Sequence, residues 1–195
     1  MSIRIRGLGI AALVAAIGVG CSTKPDLVAA WGRDDYATIV AELENGVHPD
    51  SIIVDKELGT TLLFYAAAWG PHDLLEELLR HGASVNYRNN GGMTPLHLAA
   101  PAGRVRGVEI LLAHDADPNA RMANDDGPTP LHLVAGMFAM YPEERLTIAE
   151  LLLRSGADAT LKRRDGKTPG DIAREGGHER LLDLLRKYVD IPPSR

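Results

Sequence analysis

Apolar residues recur along this chain at helical spacing, in blocks that polar turns separate. The clearest blocks are 74–79, 108–112 and 148–153, where leucine, isoleucine and valine lie three or four residues apart. Each block follows a shorter stretch rich in alanine and leucine and precedes a turn such as Gly82-Ala83-Ser84. The pattern therefore predicts pairs of helices, each pair closed by a turn.

The shorter stretches are copies of one seven-residue sequence. TPLHLAA at 94–100 returns as TLLFYAA at 61–67, as TPLHLVA at 129–135 and, more weakly, as TPGDIAR at 168–174. Their first threonines lie 33, 35 and 39 residues apart, which is a period of 33 with insertions of two and six residues. A fixed period of this length predicts a solenoid of stacked units.

This repeat resembles the ankyrin repeat family, whose unit has about 33 residues and the signature T-P-L-H-x-A. The resemblance implies an all-α solenoid of helix-turn-helix units joined by short finger loops. We expect a degenerate first repeat and four further repeats before a short tail. Their expected bounds are 26–55, 56–88, 89–121, 124–162 and 163–190, with the tail at 191–195.

Several repeat positions have a direct physical reason. Thr94 and Thr129 are expected to cap the inner helices, because a threonine hydroxyl accepts an otherwise unpaired backbone N–H. Gly82 and Gly156 are expected to end outer helices in the left-handed conformation. Asp115 takes the same place in the second repeat, and we expect a weaker stop there because aspartate adopts that conformation less readily.

No arrangement of residues in the sequence predicts catalysis. The resemblance implies that His97 and His132 hydrogen-bond to neighbouring backbone and tie adjacent repeats together. One repeat apart, about 8–10 Å, they are too distant to share a zinc ion. The acidic pair Asp125 and Asp126 lacks the ligand spacing of a calcium loop and is expected to be a solvated finger tip. We therefore predict no enzyme activity, no cofactor, no metal and no small-molecule substrate.

The first twenty residues predict a secretory signal. Arg4 and Arg6 precede an uncharged apolar run at 8–19, which is shorter than the roughly 20 residues that a membrane span needs. Small residues then precede Cys21, which resembles the lipid-attachment site of bacterial lipoproteins, although Gly18 stands where that family has a branched aliphatic residue. The resemblance implies lipidation at Cys21, a tether at 21–25, and a location in the periplasm at the outer membrane. An ordinary cleaved signal and an uncleaved anchor are the alternatives.

The net charge of the chain argues against one class of partner, nucleic acid. The chain has a net charge of −5, and removal of residues 1–20 with their two arginines leaves −7. An acidic protein of this kind is not expected to bind nucleic acid. The single cysteine excludes an intrachain disulfide, so stability must come from packing.

The family resemblance also implies where a partner protein binds. Ankyrin-like proteins use finger tips and the ends of inner helices on the concave face, positions that here include Thr60, Ala68 and Ala102. The insertion at 136–142 is either an exposed binding segment or packed on its neighbours, and Trp69 is either a contact residue or packing. The expected partner-binding residues are Trp69, Arg88, Asn90, Met93, Arg121, Asp125, Asp126, Met137, Phe138, Met140, Tyr141 and Arg164.

Together these features predict a membrane-tethered periplasmic module that binds another protein and performs no catalysis. One version of this role is an adaptor or protector of a periplasmic enzyme. The alternative is an immunity protein that neutralises a toxin delivered to the periplasm.

Overall fold

The structure, a computed structural model, describes residues 26–122, 126–136 and 142–189. Ten α-helices lie in these ranges, and none of them is long and apolar enough to cross a membrane. They are α1 (Leu27–Gly32), α2 (Tyr36–Glu44), α3 (Leu62–Trp69), α4 (His72–Arg80), α5 (Pro95–Ala99), α6 (Val105–Ala113), α7 (Pro130–Ala135), α8 (Pro142–Arg154), α9 (Pro169–Glu175) and α10 (Glu179–Val189).

The helices form five antiparallel pairs that stack in chain order. The inner helices α3, α5, α7 and α9 contact one another in sequence, and the outer helices α4, α6, α8 and α10 do the same. The pair α1 and α2 caps the N-terminal end, as expected for the degenerate first repeat. The predicted all-α repeat solenoid is thereby confirmed.

The first finger contains the sheet of the described region. A short 3-10 helix (Pro49–Ser51) leads into β1 (Ile53–Asp55), which pairs antiparallel with β2 (Thr60–Thr61) directly before α3. The helical periodicity did not predict this hairpin. It forms because the finger must reverse direction, and backbone pairing satisfies its polar groups during the turn.

The inner helices begin with a threonine and a histidine that act together. The Nδ1 atom of His97 lies 3.1 Å from the backbone N of Thr94 and 2.9 Å from the Thr94 hydroxyl. Thr129 and His132 repeat this geometry at 3.2 Å and 2.8 Å. The cap at these two helices is therefore built around an imidazole acceptor, in addition to the threonine that the sequence indicated. At α9 the Thr168 hydroxyl itself accepts the Asp171 N–H at 3.2 Å.

Three outer helices end in the left-handed conformation that the sequence predicted. Gly82 has a φ of +88° and Gly156 a φ of +92°. Asp115 occupies the equivalent place with a φ of +64°. A side chain is thus held in a conformation that glycine adopts more easily, which is consistent with the sequence argument for a poorer stop.

The core runs continuously along the stack. The third residue of each full motif copy, Leu63, Leu96 or Leu131, is completely buried between inner and outer helices. Phe64 replaces the histidine of the fourth position, is also buried, and meets the Tyr87 ring edge-on at 6.2 Å between centroids. The first full repeat therefore fills by aromatic packing the space that the next two fill with a hydrogen-bonded imidazole.

Asparagine side chains link the turns that follow the outer helices. Asn86 donates to the Asp115 carbonyl at 2.9 Å and accepts from the Asp117 N–H at 2.8 Å. One repeat later, Asn119 does the same with Gly156 and Asp158, both at 2.8 Å. These bonds fix the register between neighbouring repeats at the turns that follow the outer helices.

Candidate protein-binding face

The motif leaves one row of apolar side chains partly open to solvent. Its fifth position is Tyr65, Leu98 or Leu133, and all three are half-buried, whereas the third position is fully buried. Residues at the same repeat position lie side by side in a stack. We define the concave face as this row together with the finger loops that precede each inner helix.

The first full repeat carries two of the three large hydrophobic side chains that stay exposed among the described residues. Among the described residues, the large hydrophobic side chains that stay exposed are Leu58, Trp69 and Val189, with exposed fractions of 48%, 40% and 50%. Trp69 ends α3 and its ring lies 5.9 Å from that of Tyr65. Burial raises the pKa of Tyr65, and the nearby Asp55 carboxylate in the first finger adds to this effect. Leu58, Tyr65 and Trp69 are called the apolar surface below.

The finger residues expected to bind a partner also hold the fingers to one another. Asn90 donates its amide to the Glu57 carbonyl at 2.8 Å. The Arg88 guanidinium donates to the Arg121 carbonyl at 2.7 Å, and that of Arg121 donates to the Lys162 carbonyl at 2.9 Å. The fingers are therefore presented as one connected row.

An ion pair joins the last two fingers. Arg164 donates two hydrogen bonds to the Asp126 carboxylate, at 2.8 Å and 3.0 Å. These bonds lower the pKa of Asp126 and raise that of Arg164. Both side chains remain largely exposed, with exposed fractions of 47% and 70%. Asp126 is thus engaged by the next finger, where the sequence predicted only solvation.

Three positions that the family rule placed at the partner-facing surface are buried instead. Ala68 lies inside α3, and Ala102 lies in the turn after α5, with exposed fractions of 0% and 3%. Thr60 is in β2 and its hydroxyl accepts a hydrogen bond from the Asn89 amide at 3.1 Å. These expectations are wrong because all three positions are buried, so a partner has no access to them.

The remaining expected site residues divide into two groups. Met93 is half-buried beside the second finger, where its carbonyl accepts the Asn89 N–H. The others lie outside the described residues and stay predictions: Cys21, Asp125, Met137, Phe138, Met140 and Tyr141.

The motif histidines have a structural role. The Nε2 atom of His97 lies 3.2 Å from the Pro128 carbonyl, and that of His132 lies 3.2 Å from the Lys167 carbonyl. Because a carbonyl only accepts, Nε2 carries the proton and Nδ1 is the acceptor at the cap. Burial lowers the pKa of His97 to about 4 and also lowers that of His132. The predicted contact with neighbouring backbone is confirmed for both.

The described residues hold no group of three histidine, cysteine, aspartate or glutamate side chains placed to bind a metal ion. The polar contacts found on the concave face are hydrogen bonds and ion pairs between repeats. The concave face can therefore bind another molecule through its shape, its exposed apolar side chains and its charged side chains.

Comparison with known proteins defines the class. Residues 27–122 match the family model for ankyrin repeats, with three copies. With the stacked helix pairs and the T-P-L-H caps, this match shows that the chain contains ankyrin repeats. Such repeats serve as protein–protein interaction modules and are generally not catalytic.

Similar proteins carry ankyrin repeats within longer chains. An ankyrin repeat protein of Fowlpox virus is 36% identical over 134 residues, which are 66% of this chain and 37% of that protein. The human SH3 and multiple ankyrin repeat domains protein 2 is 32% identical over 156 residues, 78% of this chain and 8% of its own length. An ankyrin repeat-containing protein of Schizosaccharomyces pombe is 30% identical over 137 residues, 69% of this chain and 61% of that protein. The chain thus spans less than two thirds of each relative.

The hydrogen bonds between fingers were not predicted from the sequence. A signal was present, because Arg88 and Arg121 stand 33 residues apart and so occupy the same repeat position. Their side chains point along the stack to the next finger, which no single repeat considered alone would indicate.

Proposed function

We propose that this chain is a non-catalytic binding protein, tethered to a membrane through Cys21 and facing the periplasm, that holds another protein on its concave face. The observation that carries the binding role is the exposed Trp69, whose ring lies 5.9 Å from that of Tyr65, together with the exposed Leu58 of the first finger. Exposed apolar patches mark interaction sites more often than single exposed side chains do, and tryptophan is strongly enriched among residues that dominate binding energy.

The structure supports this use of the apolar surface in a second way. Helix α3, which carries Tyr65 and Trp69, packs against α4 of its own repeat and against α5 of the next repeat. A rigid surface loses little conformational entropy when a partner binds.

Trp69→Ala is expected to weaken partner binding about 30-fold while the chain stays folded, because an anchoring tryptophan contributes about 2 kcal/mol or more. Crosslinked capture of the tagged full chain from native membranes, followed by mass spectrometry, identifies the partner, and titration with that partner gives Kd. Val189→Ala removes an equally exposed apolar side chain from α10 and serves as the matched control. Equal affinity of Trp69→Ala and the unaltered protein would refute the binding role of this surface. The identity of the captured protein separates an enzyme adaptor from an immunity protein.

The tether rests on the sequence before residue 26. Cys21→Ala is expected to move the protein from the membrane to the soluble fraction, because the acyl chains have no other attachment point in a chain with one cysteine. Fractionation and metabolic labelling with a fatty acid measure this, and Ser22→Ala is the control. Membrane association that persists in Cys21→Ala would exclude lipid anchoring.

A further inference from the structure

Positive charge is concentrated in the last finger, residues 161–167. This segment contains Lys162, Arg163, Arg164 and Lys167 with a single acid, Asp165, and so has a net charge of +3. The whole chain has −5, which leaves −8 on all other residues. The last finger is therefore a cationic patch on an otherwise acidic protein.

The structure fixes this patch at the edge of the concave face. The Arg163 N–H donates to the Lys167 carbonyl at 3.0 Å, and the Arg163 guanidinium holds Asp165 at 2.7 Å and 2.9 Å. Arg121, from the preceding finger, binds the Lys162 carbonyl. The backbone of the finger is thus held from both sides, and its long cationic side chains extend from a fixed base.

Three of these four cations pair with internal acids, but only in ion pairs at the protein surface. Within the described ranges no carboxylate forms an ion pair with Lys162, which is exposed. Arg164 and Lys167 are paired with Asp126 and Glu175, but both pairs lie at the surface. Surface ion pairs are worth about 1 kcal/mol or less, so carboxylates of a bound chain can replace them at little cost.

The apolar surface lies at the other end of the same face. Leu58 belongs to the first finger, whose charged residues Asp55, Lys56 and Glu57 give it a net charge of −1. Three repeats separate the first finger from the last. At about 8–10 Å per packed helix this is roughly 24–30 Å, or about seven to nine residues of extended chain at about 3.3 Å each. The face is therefore apolar at its N-terminal end and cationic at its C-terminal end.

We propose that the concave face binds an extended acidic polypeptide segment. One large apolar side chain of the segment packs against Leu58 and a second packs against Trp69, and a cluster of aspartate or glutamate residues about seven to nine positions from the first contacts Lys162 and Arg164. This inference rests on the proposed function and specifies its partner. A polypeptide is favoured over a nucleic acid because the uniform charge of a nucleic acid would meet the acidic finger at the apolar end.

A library of random 16-residue peptides displayed on phage and selected on the full chain is the probe. Selected peptides are expected to combine an aromatic or large aliphatic residue with two or more acids at that spacing. In anisotropy titrations of a selected peptide, Lys162→Glu combined with Arg164→Glu should raise Kd at least about tenfold and reduce the dependence of Kd on salt. Lys162→Glu alone tests the charge without breaking an internal ion pair. Lys187→Glu on α10 makes the same charge change away from the face and should alter Kd less than about threefold.

The outcomes separate this inference from the proposed function. Peptides that need Trp69 but carry no excess of acids, and that bind Lys162→Glu as well as the unaltered chain, would overturn the acidic-segment inference and leave the binding role intact. Peptide binding that is insensitive to Trp69→Ala would overturn the proposed function itself. Preferential binding of phosphatidylglycerol vesicles or single-stranded DNA through Lys162 and Arg164 would overturn the assignment to a polypeptide.

Discussion

Gly107→Ala is expected to lower the free energy of unfolding by about 2–3 kcal/mol, although alanine favours helices more than glycine does. Gly107 lies inside α6, where a β-carbon would stand 2.5 Å from the carbonyl oxygen of Ala67 in α3. That oxygen belongs to backbone and cannot move aside as a flexible side chain would. The outer helix of one repeat would therefore be pushed away from the inner helix of the repeat before it.

Urea unfolding followed by circular dichroism measures this change. Gly32→Ala is the matched control, because Gly32 is also helical and no atom lies within 4 Å of the added β-carbon. The control should be neutral or more stable by up to about 1 kcal/mol, in line with helix propensity. If both variants gained stability equally, close contact between the repeats at Gly107 would be ruled out.

The stability of the stack is expected to fall as the pH decreases from about 6.5 to about 4. Burial holds the pKa of His97 at about 4 in the folded protein, whereas an unfolded histidine has a pKa of about 6.5. The unfolded chain therefore takes up a proton first in this interval, and protonation favours unfolding. The loss from His97 is on the order of 3 kcal/mol, and His132 adds to it in the same direction.

The chemical reason lies in the two ring nitrogens. Nδ1 of His97 accepts hydrogen bonds from Thr94, so a proton on that atom would oppose the helix cap. His97→Gln should reduce the slope of stability against pH between 6.5 and 4, because glutamine does not titrate. His114→Gln, at an exposed histidine beyond α6, controls for the loss of an imidazole. An unchanged slope in His97→Gln would disprove the role assigned to the buried imidazole.

The role of His97 could be predicted from the sequence alone, whereas the close contact at Gly107 could not. The resemblance of the T-P-L-H stretch to the ankyrin signature implied that His97 joins adjacent repeats through a hydrogen bond to neighbouring backbone. No comparable sign marks Gly107 in the sequence, because a glycine within a helical block suggests only reduced helix propensity. The close contact between Gly107 and the Ala67 carbonyl forms only when two repeats stack, so the sequence of one repeat does not reveal it.

The candidate site shows the same division. Trp69 was identified from its place in the repeat, and it is exposed as expected. The same positional rule placed Ala68 and Ala102 at the surface, but both are buried. The rule uses only the place of a residue within its repeat, and that place alone does not determine burial. Arg88, Asn90 and Arg121 were expected to face a partner, and their hydrogen bonds show that they also connect the fingers.

The sequence by itself determined the helix pairs, the caps at Thr94 and Thr129 and the left-handed stops, because each depends on residues within about four positions of one another. The 33-residue period then determined the solenoid. Only the tertiary structure decided which side chains join neighbouring repeats and which remain open to solvent. These contacts link residues about 33 positions apart, and their distances depend on how closely two repeats approach, which the sequence of a single repeat does not specify.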